Sequence, residues 1–170
     1  MAIDTEAKEE TMNSKEQATG VIVVGVDASA GAKAALRFAL EEARLRRATL
    51  HAIHAWQFGY IGATGFEGDL PVIGSTLEEF RAAAEHNLDA ALHEAIPDVG
   101  GVEIEWRAVE GRPATVLIEE SRHADLLVVG SRGHGGFTGL LLGSVSQQCA
   151  HHARCPVVIV PTPPERSADG

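Results

Sequence analysis

The feature that most constrains this chain is the run Val21-Ile22-Val23-Val24-Gly25-Val26, apolar throughout and ended by Asp27. A strand with one wet face alternates polar and apolar residues; an unbroken run suits a strand buried on both faces. Such a strand needs a layer of helices on each side. The following sequence supplies them. Ala32, Ala35, Leu36, Ala39, Leu40 and Ala43 share one helical stripe, with Ser29 placed to cap it. Thr49 to Ala55 reads as a second strand. Thr76-Leu77-Glu78-Glu79 has the form of a capping box, opening a helix whose face is Leu77, Phe80, Ala84, Leu88, Ala91, Leu92 and Ala95. Val102 to Val109 alternates as a third strand, and Pro113 suits the first position of a short helix carrying Leu117 and Ile118. Leu126 to Val129 is a fourth strand. A helix from about Ser144 to Ala153 and a strand from Val157 to Val160, introduced by Pro156, complete the pattern.

Strands alternating with helices imply an α/β fold with a parallel, doubly wound sheet and right-handed crossovers. Ligands in such folds sit beyond the carboxyl ends of the strands, where strand order reverses. The loops to search are those after Val26, Ala55, Val109 and Val129. One domain, 20–161, is expected between two flexible tails, an acidic one at 1–19 and another at 162–170, because neither has the apolar mass to offset the entropy of ordering. A formal charge of −10 argues against a bulk nucleic-acid binder. No apolar run approaches the roughly 20 residues of a membrane span, and the first twenty residues hold no apolar core of a secretory signal. Two cysteines, Cys149 and Cys155, cannot make a disulfide framework, and a cytoplasmic setting fits them.

The main chemical signal is the loop after the fourth strand: Gly130-Ser131-Arg132-Gly133-His134-Gly135-Gly136-Phe137-Thr138-Gly139, then Leu140 to Leu142 and Gly143-Ser144-Val145-Ser146. Glycines let backbone amides converge on an anion, and the helix beginning near Ser144 offers free amides and the positive end of its dipole. The hydroxyls of Ser144 and Ser146 can add hydrogen bonds, and Arg132 a charge. The competing reading is a plain glycine connector with Ser144 as an N-cap. A Walker A loop is excluded, because no Gly-Lys-Ser/Thr follows the glycines. So is the contiguous dinucleotide fingerprint, because its last glycine position holds Thr138.

These residues resemble the universal stress protein family, whose nucleotide-binding pattern is Gly, two residues, Gly, nine residues, Gly, then Ser or Thr. Gly130, Gly133, Gly143 and Ser144 meet that spacing. The opening Val21 to Ser29 is similar to the family's first strand with its acidic residue, and Cys155 to Pro161 to its last strand. The resemblance implies a single flavodoxin-like (adenine nucleotide alpha hydrolase-like) domain with five parallel strands in the order 3-2-1-4-5. It implies ATP as ligand, with or without Mg2+. The implied contacts are Gly25, Asp27, Ala52, Gly130, Arg132, Gly133, His134, Gly143, Ser144, Val145 and Ser146. It also points to a homodimer through the last strand, Val157, Val158, Ile159 and Val160, where a proline at Val158 is expected to remove an edge donor.

Each position has a plainer alternative. Asp27 either contacts the adenosine part of the ligand or caps the turn at Ser29. Ala52 and Ile53, placed at the end of the second strand, either wall an adenine pocket or pack as core. Gly111 is more simply a helix-entry turn than a rim residue. The histidine pairs His51/His54 and His151/His152 diverge and suit structural or surface roles better than a metal. The long glycine- and aromatic-rich stretch Trp56 to Ser75 reads equally as a lid, a partner surface or a flap. The sequence thus favours an ATP-binding regulatory protein without dedicated catalysis. Its rivals are a nucleotide-free dimeric adapter of the same fold and a nucleotidyl-transferring enzyme in which His134 would be the catalytic group.

Overall fold

The computed structural model describes residues 20–57, 76–133 and 141–162. The N-terminal tail, most of the C-terminal tail, residues 58–75 and His134 lie outside the described residues. Five strands form one parallel sheet: β1 (Val21–Gly25), β2 (Thr49–Trp56), β3 (Ile104–Glu110), β4 (Leu126–Gly130) and β5 (Val157–Val160), in the order β3-β2-β1-β4-β5. This is the expected arrangement. Four helices cover it: α1 (Ala30–Arg46), α2 (Leu77–Ala95), α3 (Pro113–Glu120) and α4 (Ser144–His152).

β1 lies at the centre, pairing with β2 from Val21↔Thr49 to Gly25↔Ile53 and with β4 from Ile22↔Leu126 to Val24↔Val128. Ile22, Val23 and Val24 are fully buried or nearly so, which is why the run carries no polar residue. Its two faces feed two cores. Ile22 and Val24 pack with Leu36, Ala39 and Leu40 of α1 and Leu88 and Leu92 of α2. Val23 joins Leu117 of α3, Leu127 and Cys149 of α4 on the other side. Each such aliphatic side chain contributes about 1.5–3 kcal/mol when withdrawn from water.

The helix starts are locally encoded. Ser29 accepts from the Ala32 N–H and caps α1. Thr76 and Glu79 form the reciprocal capping box of α2. Pro113 occupies the first position of α3. Leu77, expected on the buried face of α2, is 48% exposed in its first turn. The regular alternation expected of β3 is also broken: Glu105, Trp106 and Arg107 are all exposed, because β3 is an edge strand that its covering helices reach only in part. Among the described residues no helix is long and apolar enough to cross a membrane.

β5 is the other edge. The Leu127 N–H donates to the Pro156 carbonyl and the Ser131 N–H to the Val160 carbonyl, so residues 156, 158 and 160 turn their backbone groups toward β4. Alternation then aims those of Val157 and Ile159 outward. The expectation about Val158 is corrected on this ground: its N–H belongs to the sheet interior, and the free edge donors are at Val157 and Ile159.

Where β4 ends, its backbone meets the start of α1. A Cβ on Gly130 would sit 2.7 Å from the Gly31 carbonyl carbon and 3.0 Å from the Ala32 nitrogen, both backbone atoms. The Gly130→Ala variant is therefore expected to lose about 1–3 kcal/mol of stability through overpacking. Urea unfolding checks this; an unchanged midpoint would show that the helix start can shift freely.

Candidate functional site

The order reverses between β1 and β4, and a cleft of about 900 Å³ opens there. Its floor is formed by the ends of β1, β2 and β4. Its walls are the first turns of α3 and α4 and the described part of the glycine loop. Gly25, Asp27, Gly130, Arg132, Gly133, Gly143, Ser144, Val145 and Ser146 all line it.

α4 begins at Gly143, which makes no side-chain cap, so Ser144 is the first helical residue and not the N-cap. Gly143 donates its own N–H to the Ser131 carbonyl at 2.7 Å, and the first in-helix bond is Gln147 N–H to the Gly143 carbonyl. The amides of Ser144, Val145 and Ser146 are left as the orphan donors of an uncapped helix end opening on the cleft. That end attracts an anion through both its donors and the helix dipole. Ser144 is exposed at the same place. Ser146 is not the free hydroxyl the sequence suggested. It is buried, and its one proton lies between the Ser131 carbonyl (2.9 Å) and the Gly143 carbonyl (3.0 Å), holding the loop to the helix.

The three motif glycines are unlike one another. Gly130 has no room for a side chain because backbone lies against it. A Cβ on Gly133 would come 2.8 Å from the Asp27 carboxylate. At Gly143, with φ −75°, a Cβ would meet nothing closer than 3.4 Å. The fold alone thus demands glycine at 130 but not at 143, where the open space faces the helix end. Gly25 is a packing position: a Cβ there would press on Leu117 at 2.7 Å.

Asp27 caps the turn at Ser29 and leaves its second carboxylate oxygen toward the glycine loop. Its Oδ1 accepts from the Ser29 N–H at 2.9 Å and from the Ser29 hydroxyl. Its Oδ2 is the oxygen that faces Gly133. Ser29 in turn caps α1, so Asp27 is held rigidly at the floor. Arg112 and Arg132 stand exposed at the rim, and neither makes an ion pair among the described residues. Asp27 is the one carboxylate among the described lining residues, so a protein of charge −10 carries a locally cationic rim around this cleft.

Ala52 is a correction. β2 continues to Trp56, so Ala52 sits mid-strand, fully buried among α1 and α2 side chains and away from the cleft. The cleft residues of β2 are Ile53, His54 and Ala55. Val26 donates its N–H to the Ile53 carbonyl at 2.9 Å. The next rung would run from the Ala55 N–H to the Val26 carbonyl. That carbonyl instead accepts from His54 Nδ1 at 3.0 Å. Ala55 therefore turns a backbone donor and an acceptor into the cleft past the end of β1. The sequence signal that could have found it is the first run itself: β1 is shorter than β2, so β2 must overhang.

His54 is 2% exposed, and its Nδ1 must carry the proton because a carbonyl only accepts. Burial lowers its pKa below the ordinary value, against smaller raising effects of the Val26 carbonyl and of Asp27. Cys149 in α4 is buried and its thiol is pushed up to about 11 by that burial; burial also raises Cys155. His51 reaches Glu105 at 3.4 Å on the opposite side of β2 from His54.

The fold and the cleft define a doubly wound α/β protein with an open crevice at its switch point. The universal stress protein family model matches residues 19–161, and the chain belongs to that family. A universal stress protein of Mycolicibacterium smegmatis is 41% identical over 143 residues, which covers 82% of this chain and 45% of that protein. The chain thus spans about half the length of the curated relatives it matches. Among solved structures, a universal stress protein in complex with cAMP is 28% identical with a TM-score of 0.61, covering 86% of this chain and 99% of that one. A universal stress protein from Archaeoglobus fulgidus in complex with dAMP is 26% identical, with a TM-score of 0.58 and coverage of 85% and 99%.

The lowered pKa of His54 has a stability consequence. Below pH about 6.5 the unfolded chain takes up this proton while the folded chain resists it. Stability falls as pH drops through that range toward the lowered folded value. The His54→Asn variant should lose this part of the slope. Urea unfolding of both proteins between pH 7 and pH 5 checks it, and parallel slopes would contradict it.

Proposed function

We propose that the cleft binds an adenine nucleotide, ATP in particular, and that the protein acts as a nucleotide-responsive regulator in the stress response. The observation that carries this reading is the pairing, in one cleft, of an uncapped helix end at Gly143 with the unladdered backbone of Ala55. The first suits phosphates. The second offers the donor and acceptor that the edge of a purine ring requires. Solved relatives in complex with cAMP and dAMP support the ligand class. In this reading Gly133, Gly143, Ser144, Val145 and the Ser146 amide hold the phosphates, Arg132 supplies charge, and Asp27 Oδ2 meets the sugar. His134, outside the described residues, belongs to the same motif.

Asp27, the one carboxylate among the described lining residues, is already engaged by Ser29. It does not make the acidic pair that would hold a resident magnesium ion, so Mg2+ would enter on the phosphates of ATP. The same lack of a second carboxylate among the described lining residues favours binding and response over dedicated hydrolysis. A cytoplasmic setting suits the two free cysteines.

The Gly143→Val variant tests the ligand. The unliganded fold has room there, so the variant should remain folded while ATP binding falls at least tenfold, since the added carbons occupy the approach to the helix amides. Calorimetry decides, together with ATP released at 260 nm on denaturing the purified protein. Unchanged affinity in the folded variant would overturn the phosphate assignment.

We further propose a two-fold homodimer in which β5 pairs antiparallel with its copy. The support is an apolar edge strand whose Val157 and Ile159 turn their backbone outward, bracketed by Pro156 and Pro161 so that the register stays short. Ile159→Pro removes an outward donor and leaves the β4 side intact, as prolines on edges do. Light scattering should give a dimeric wild type and a variant shifted to monomer. A wild type that is monomeric at tens of micromolar would refute the dimer.

A further inference from the structure

All three polar groups of Ser131, the residue after the first motif glycine, are committed to different elements. Its N–H donates to the Val160 carbonyl at the end of β5, at 2.7 Å. Its hydroxyl accepts from the Thr162 N–H at 3.2 Å and lies 3.4 Å from the Thr162 hydroxyl. Its carbonyl accepts from the Gly143 N–H at 2.7 Å and from the Ser146 hydroxyl at 2.9 Å. Thr162 is pinned in its turn. Its hydroxyl lies 3.0 Å from where a Cβ on Gly31 would be, and that same Cβ would be 2.5 Å from the Arg132 carbonyl. Thr162 was expected to begin a flexible tail, yet it packs between the glycine loop and the start of α1.

We propose that Ser131 is the positioning residue of an anion cradle: its hydroxyl, latched to Thr162, fixes the Cα whose carbonyl holds Gly143 and Ser146, and so helps aim the free amides of α4 into the cleft. The proposal deepens the nucleotide reading and rests on it for the identity of the ligand. The logic is one of leverage. The loop between Gly133 and Gly143 is long, and its two ends meet through the Ser131 carbonyl. A carbonyl is aimed in part by the placement of the Cα that bears it. The Ser131 N–H is held by β5, and anchoring the side chain as well fixes the orientation of that Cα. Thr162 supplies that anchor. Ser131 touches no part of the proposed ligand and acts through Gly143 and Ser146. Its effect should therefore fall on the phosphates and not on the base.

The test uses the full chain with Ser131→Ala, Ser131→Thr and wild type. The first readout needs no ligand: amide hydrogen exchange by NMR at Gly143 and Thr162. Ser131→Ala should speed exchange at both, and Ser131→Thr should restore protection. The second is calorimetry with ATP, inorganic tripolyphosphate and adenosine. Ser131→Ala should weaken ATP and tripolyphosphate roughly tenfold, the size of one lost orienting hydrogen bond, and leave adenosine unchanged. Unchanged Gly143 protection in Ser131→Ala overturns the proposal whatever the ligand result. An equal loss for ATP and adenosine also overturns it, since a general loosening would act on both. If Gly143 protection falls as expected but wild type binds neither ATP nor tripolyphosphate, the latch stands and the nucleotide reading fails.

Discussion

The contact on which the rest of the molecule depends is the approach of two backbones, the end of β4 against the first turn of α1. Gly130 and Gly31 are reciprocal in this. A side chain on the first would strike the Gly31 carbonyl group, and one on the second would strike the Arg132 carbonyl and the Thr162 hydroxyl. Because neither residue has a Cβ, α1 starts directly beside the glycine loop. Ser29 caps that helix while also bonding Asp27, so the carboxylate, the helix start and the loop are fixed together. The floor of the cleft is tied to the start of α1 by this close backbone contact.

Charge in this protein is organised by place. The chain carries −10 overall, and five of its arginines are taken up by glutamates. Arg44, Arg46, Arg81, Arg107 and Arg122 are paired with glutamates at the surface. Such exposed pairs contribute little to stability, up to about 1 kcal/mol each. Arg112 and Arg132, at the cleft rim, stay out of these pairs. A cation left unneutralised in an acidic protein, next to an uncapped helix end, concentrates positive potential where a phosphate would enter. His54 behaves in the opposite way. Buried below the rim and held neutral, it spends its one proton on the Val26 carbonyl and thereby keeps that carbonyl from closing over Ala55.

Most of the architecture was legible because it is local. The apolar runs, the Ser29 cap, the Thr76 capping box and Pro113 each act within a few residues, and the parallel sheet follows from their alternation, while the strand order was what the family resemblance implied. The misplacements share a different character. Ala52 was put on the cleft because the end of β2 was taken to lie nearer to it, whereas the true overhang depends on where β1 stops pairing. Ser146 looked like a free hydroxyl because nothing in its own helix shows that the Ser131 carbonyl, fifteen residues earlier, takes its proton. Val158 looked like an edge donor because strand phase is fixed by the neighbour, not by the strand. Leu77 looked buried because a helical stripe does not say how much of its first turn the other layers cover. Each failure concerns a long-range partner, which one sequence does not specify.

The two edges of the sheet show the same protein solving one problem in two ways. β3 exposes Glu105 and Arg107 around Trp106, and charge on an edge discourages a foreign strand from adding to it. β5 carries four aliphatic residues and no charge, and each of them is only half-buried. Val158 and Val160 lean on the α1 core, while Val157 and Ile159 lean on the α4 core. The apolar edge is thus built from side chains already committed to both layers, and no described strand pairs with its outer backbone. In the proposed dimer a second copy covers that edge. The strand it would cover ends at Val160, whose carbonyl is already held by Ser131. The apolar edge and the proposed anion cradle therefore meet at one residue.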